Sequence, residues 1–74
     1  MHDEFLPTLF WDSAFAVAVI LIEQYPDVNP ELIGLEELVE MVIHLPGFAD
    51  DPALVNDRLL EDILIAWYEE INST

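Results

Sequence analysis

The sequence predicts a small all-α domain of three helices, and three observations carry that reading. Apolar residues recur at three- and four-residue steps in separate segments, the spacing that lines one face of a helix. Pro26, Pro30, Pro46 and Pro52 fall at segment boundaries, where a fixed φ and a missing N–H start or stop a helix. No stretch of convincing length alternates apolar and polar residues as a half-buried strand does, although a short extended piece fits residues 32–35. One domain accounts for residues 1–74, with residues 1–8 and 72–74 expected to be flexible.

Asp12 and Ser13 are good N-cap residues ahead of the apolar run from Ala14 to Ile22, and Pro26 biases Tyr25 away from helical geometry. The first helix is therefore expected over 13–24. Its apolar residues cover almost every face, which predicts a central helix or one that contacts a partner. Asn29 can then cap a short helical turn with Pro30 at its first position, ending near Gly34.

A second helix is predicted from about Leu35. Leu35, Leu38, Val42 and Leu45 form its inner face, opposite Glu36, Glu37, Glu40 and His44, and Pro46-Gly47 ends it. Asp51 and Pro52 supply an acidic N-cap and a first-turn proline, so the third helix is expected from Pro52 to about Ile71. Its predicted buried stripe is Leu60, Ile63, Leu64, Trp67 and Ile71, with Asp57, Glu61, Glu69 and Glu70 turned outward.

Charge restricts the partners. Arg58 is the only lysine or arginine against 16 aspartates and glutamates, a formal charge of -15 at neutral pH. Nucleic-acid binding and attraction to anionic membranes both draw on cationic side chains, so neither is expected. Such a surface suits a positively charged protein, polyanion mimicry or the collection of hard cations by oxygen ligands. With 54% hydrophobic residues the chain has the composition of a folded domain rather than an acidic disordered one. A domain this short buries only roughly 60% of its extended-chain surface, so its stability should be modest and improved by salt.

The absence of cysteine excludes disulfides and thiolate ligands. The longest apolar run, nine residues from Ala14 to Ile22, is far short of the roughly 20 that a membrane span needs. Met1-His2-Asp3-Glu4 lacks the positive start of a secretory signal, and a cytoplasmic monomer is expected.

No catalytic constellation stands out. Asp27, Asn29 and Glu31 alternate like the start of a calcium loop, but Leu32 and Leu38 occupy the positions that need glycine and a bidentate glutamate. Glu40 and His44 share a face at i,i+4, too few ligands for a dedicated metal site. Ser13 and Ser73 have no orienting histidine and acid, and adjacent acids such as Glu61-Asp62 point in different directions along a helix. Arg58 is expected to pair locally with Asp62 or Glu61.

Taken in order, Trp11-Asp12-Ser13, Tyr25-Pro26-Asp27-Val28-Asn29-Pro30, Leu45-Pro46-Gly47-Phe48-Ala49-Asp50-Asp51-Pro52, Asn56-Asp57 and Ala66-Trp67-Tyr68-Glu69-Glu70 strongly resemble the IscX family, also called YfhJ, over roughly residues 9–70. The resemblance implies a modified winged-helix fold and a non-catalytic adaptor of bacterial iron-sulfur cluster assembly. It further implies docking on the cysteine desulfurase IscS through acidic residues, in competition with frataxin and ferredoxin, and weak binding of Fe2+ through exposed carboxylates, with no tightly bound cofactor.

Carried over by position, Asp27 and the Asp50-Asp51 pair match the family's acidic motif, and Glu23, Glu69 and Glu70 match positions usually acidic there. These six are the expected partner surface. Asp27, Asp50 and Asp51 are also the expected weak metal ligands. Phe48 and Trp67 match aromatic positions and are expected to anchor the core. Asn29 departs from the usual aspartate, and Trp11-Asp12-Ser13 lies one residue further from Pro26-Asp27 than is usual. The leading reading is a regulator that docks on the desulfurase. An iron carrier is the alternative, and a polyanion mimic a remoter one.

Overall fold

The computed structural model describes residues 8–73. Three α-helices make up the fold: α1 (Ala14–Gln24), α2 (Leu35–Ile43) and α3 (Asp57–Ile71). Short 3-10 turns at Pro30–Leu32 and Pro52–Leu54 precede α2 and α3 respectively. The predicted all-α class holds. The single strand-like pairing among the described residues is an isolated parallel bridge between Leu9 and Phe48, so no hairpin wing forms there.

Each turn is capped as its sequence implies. Asn29 Oδ1 accepts from Glu31 N at 2.9 Å, and Asp51 Oδ1 accepts from Ala53 N at 2.9 Å, each with proline at the first position of the turn. Ile33 and Gly34 are extended, within the piece expected over 32–35.

The third helix, however, does not start at Pro52. Asp51 and Pro52 begin only the 3-10 turn; the chain then runs extended at Val55 and Asn56 before α3 begins at Asp57. Asn56 Oδ1 accepts from Leu59 N at 2.9 Å and is the true N-cap. A second capping residue so soon after the first offers the backbone an alternative to continuing helix, and β-branched Val55 favours the extended state. The α1 boundary is close to expectation, but Ser13 makes no side-chain cap; its carbonyl accepts from Val17 N at 2.9 Å while its amide donates to Phe10 O at 3.0 Å.

The core unites Leu9, Trp11, Val17, Ala18, Leu21, Leu38, Val42, Leu45, Leu60, Ile63 and Trp67. The α1–α3 pairing is its main contact. Although α1 is apolar on most faces, only Val17, Ala18 and Leu21 are buried, and Phe15 remains 63% exposed. On α3 the predicted stripe holds for Leu60, Ile63 and Trp67, and Leu64 is half-buried. Ile71 instead lies 42% exposed at the helix end.

Leu38 and Val42 of α2 and Leu45 just beyond it add to this core, and Leu9 and Trp11 come from the chain ahead of α1. Gly47, with φ 91, takes the left-handed turn that few other residues adopt readily and presents its carbonyl to Leu9 N at 2.9 Å. Ala49 N returns the bond to Leu9 O at 2.9 Å. Trp11 then inserts with 1% exposure, its ring edge-on to Phe48 at 5.1 Å. Phe48 is half-buried against the core and Trp67 fully buried. Asn72 Nδ2 and Ser73 Oγ donate to the carbonyls of Tyr68 and Glu70, tying residues 72 and 73 to α3. Expectations for residues 1–7 and 74 lie outside the described residues.

Candidate functional site

The six acids expected at a partner surface fall at two ends of α1. Asp50 and Asp51 are at its N-terminal end. Asp50 Oδ2 accepts from Trp11 N at 2.9 Å, and its Oδ1 accepts from Asp51 N at 2.8 Å. Trp11 Nε1 donates to Asp51 O at 2.9 Å. Both oxygens of Asp50 and one of Asp51 are thus committed to backbone amides, which makes this pair a latch for the segment carrying Trp11.

Glu23, Asp27 and Glu70 belong to the opposite end. Pro26 stops α1 just after Glu23, and the turn from Pro26 to Pro30 folds against the end of α3. A surface cavity of about 440 Å³ is lined by Val19, Ile22, Glu23 and Glu70 with Pro26 and Ile71. A neighbouring cavity of about 360 Å³ shares Pro26 and Ile71 and is lined also by Asp27, Val28, Glu31 and Tyr68. Glu69 is exposed beside Glu70 but lines neither cavity. An eleven-residue helix is about 16 Å long, so this corner and the Asp50-Asp51 latch are well separated.

That separation bears on metal binding. Asp27 cannot join Asp50 and Asp51 in one coordination sphere across the length of α1, and no group of three or more metal-ligating side chains occurs among the described residues. Glu40 and His44 add no site, because they are only two ligands and no third converges on them among the described residues; His44 Nδ1 donates to the Glu40 carbonyl at 2.7 Å. Among the described residues the donor set does not fit a chelated ion, which needs more converging oxygens than any one corner supplies.

The α1–α3 corner gathers acids where helix dipoles do not favour them. Helix C-termini carry a partial negative charge of roughly half an electron, where cations are favourable and carboxylates are not. Glu23 lies in the last turn of α1 and Glu69 and Glu70 in the last turn of α3, with no basic residue in either turn. Among the described residues, none of the Glu23, Asp27, Glu69 or Glu70 carboxylates accepts a hydrogen bond, and the ion pair expected between Arg58 and Asp62 or Glu61 does not form. The capping acids differ: Asp51 and Asp57 sit at helix or turn N-termini, where the backbone welcomes them.

Glu31, Tyr68 and Ile71 were not expected here. Tyr68 and Ile71 are three residues apart on α3 and so share a face beside the Trp67 stripe, a spacing visible in the sequence. What brings Glu31 to that face is the Asn29-capped turn, whose packing against α3 no local pattern encodes.

Fold and site together define a small acidic all-α domain whose exposed chemistry is carboxylate edged with apolar surface. Its sequence matches the iron-sulphur cluster assembly family model over residues 9–72, and the chain belongs to that family, the IscX family. The match begins at Leu9, the first residue of the latch. The chain is also 36% identical over 63 residues to an uncharacterized protein of Pseudomonas aeruginosa, covering 85% of this chain and 96% of that one. No helix among the described residues is long and apolar enough to cross a membrane.

Proposed function

We propose that this protein is a non-catalytic adaptor of iron-sulphur cluster assembly that docks on the cysteine desulfurase IscS and competes there with frataxin and ferredoxin. The observation that carries this reading is the α1–α3 corner, where Glu23, Asp27, Glu69 and Glu70 stand at or beside helix C-termini and, among the described residues, none of their carboxylates accepts a hydrogen bond. Acids in that position lower stability and raise the local negative potential. They are the side chains from which a basic partner gains most, since no group among the described residues already takes up their charge.

Asp50 and Asp51 contribute to the field but are assigned to the latch first. Fe2+ is read as a weakly held cargo, attracted by charge density and dispersed over the exposed carboxylates. A dedicated iron carrier would need converging ligands, and none gather among the described residues.

Interferometry with the cognate desulfurase at low and high salt tests the docking. Affinity should fall steeply with salt, and the triple variant Glu23→Gln, Asp27→Asn, Glu70→Gln should bind at least tenfold more weakly while folding normally, a change of about 1.4 kcal/mol. Binding that ignores salt and survives the triple variant would refute the proposal.

A further inference from the structure

Within the α1–α3 corner, the cavity of about 360 Å³ has a more specific chemistry than the acidic surface around it. Two carboxylates, Asp27 and Glu31, line it together with the phenol ring of Tyr68 and the apolar side chains of Val28, Pro30 and Ile71. Tyr68 is 46% exposed and Ile71 42% exposed, so apolar and aromatic surface faces solvent beside two exposed acids. The cavity is a shallow groove open to solvent, suited to a side chain rather than to an enclosed ligand.

The walls are set by local bonds. Asn29 Oδ1 holds the amide of Glu31 at 2.9 Å, which orders the turn carrying one carboxylate, and Asn72 Nδ2 donates to the Tyr68 carbonyl at 2.8 Å, which ties off the end of α3. A guanidinium matches this combination better than other groups. It pairs with carboxylates through its planar fork, stacks on an aromatic face, and arrives on a three-carbon stem that apolar walls cover. The negative end of α3 adds attraction for a cation that a neutral ligand does not feel.

We infer that this cavity is an arginine pocket: it receives one arginine side chain of a basic protein partner, with the stem against Ile71 and Pro30, the guanidinium over Tyr68, and its N–H groups donated to Asp27 and Glu31. The partner's identity rests on the docking reading above; the pocket's preference for a guanidinium does not.

An amide-resolved NMR titration with N-acetyl-arginine methylamide as the probe tests the pocket without any desulfurase. Saturable shifts confined to Val28, Glu31, Ile71 and Asn72 are expected, with little response to the uncharged citrulline analogue. Tyr68→Ala and Asp27→Asn/Glu31→Gln, all at exposed side chains, should each weaken the response roughly tenfold without unfolding the chain. Non-saturating shifts spread over Asp57, Glu61 and the rest of the acidic surface would overturn the assignment, as would an equal response to citrulline or to the lysine analogue. Desulfurase binding that survives Tyr68→Ala but not loss of the surrounding acids would retain the docking reading and reject the pocket; a positive probe titration with no desulfurase binding would do the reverse.

Discussion

Trp11 and Asp50, 39 residues apart, are joined by a 2.9 Å hydrogen bond from the tryptophan amide to a carboxylate oxygen that belongs to the segment between α2 and α3. The same carboxylate holds the amide of Asp51, whose carbonyl accepts from the Trp11 indole. Three bonds thus close around a tryptophan that supplies much of the core at the N-terminal end of α1. A carboxylate expected at the partner surface is thus also bonded into the fold.

Removing that carboxylate should therefore read out as stability. Asp50→Ala leaves the Trp11 amide without its acceptor and is expected to cost about 1–3 kcal/mol in urea denaturation, whereas Asp27→Ala should change stability by less than about 0.5 kcal/mol. Equal and negligible costs for the two would contradict the latch.

The two buried tryptophans should respond differently to loss of their indole N–H. Trp11 Nε1 has a partner at 2.9 Å, but Trp67 Nε1 is buried with none among the described residues. A buried donor without an acceptor already carries its desolvation cost, so Trp67→Phe relieves a penalty that Trp11→Phe creates for the Asp51 carbonyl. Trp11→Phe is expected to be the more destabilising by about 1 kcal/mol, with denaturation midpoints at equal m-values as the check.

On α3, Ile63 and Ile71 share a residue type but not a role, being 0% and 42% exposed. Ile63→Ala should cost about 2–5 kcal/mol through the cavity it leaves. Ile71→Ala should cost under about 1 kcal/mol, because exposed positions lose little burial on truncation. A large loss at Ile71 would mean that it belongs to the core after all.

Salt should stabilise the protein. With a net charge of -15, repulsion among carboxylates opposes compaction. Raising ionic strength from about 0.01 M to about 1 M shortens the Debye length from roughly 30 Å to roughly 3 Å. A gain of about 1 kcal/mol, or about 4–8 °C in Tm, is expected by thermal melting followed by circular dichroism. A Tm that falls with sodium chloride would show that attractive pairs dominate instead.

By itself the sequence determined that there are three helices, the capped turn at Asn29, the capping role of Asp51 though not that only a 3-10 turn follows it, and the inner faces of α2 and most of α3, because these follow from spacing and from side chains bonding their near neighbours. It also determined the acidic surface and, through the order of its motifs, the family. Tertiary structure alone decided where each acid sits and what it is bonded to. Asp50 became a latch because residues 9–11 return to pair with Gly47 to Asp51, a contact of long sequence separation that no local pattern announces. Glu23, Asp27, Glu31 and Glu70 were brought to one corner because the end of α1 and its following turn pack against the end of α3, and Ile71 was left exposed there because the stripe outruns the surface that could cover it. Periodicity assigns a residue to a face; only the packed neighbour determines whether that face is covered.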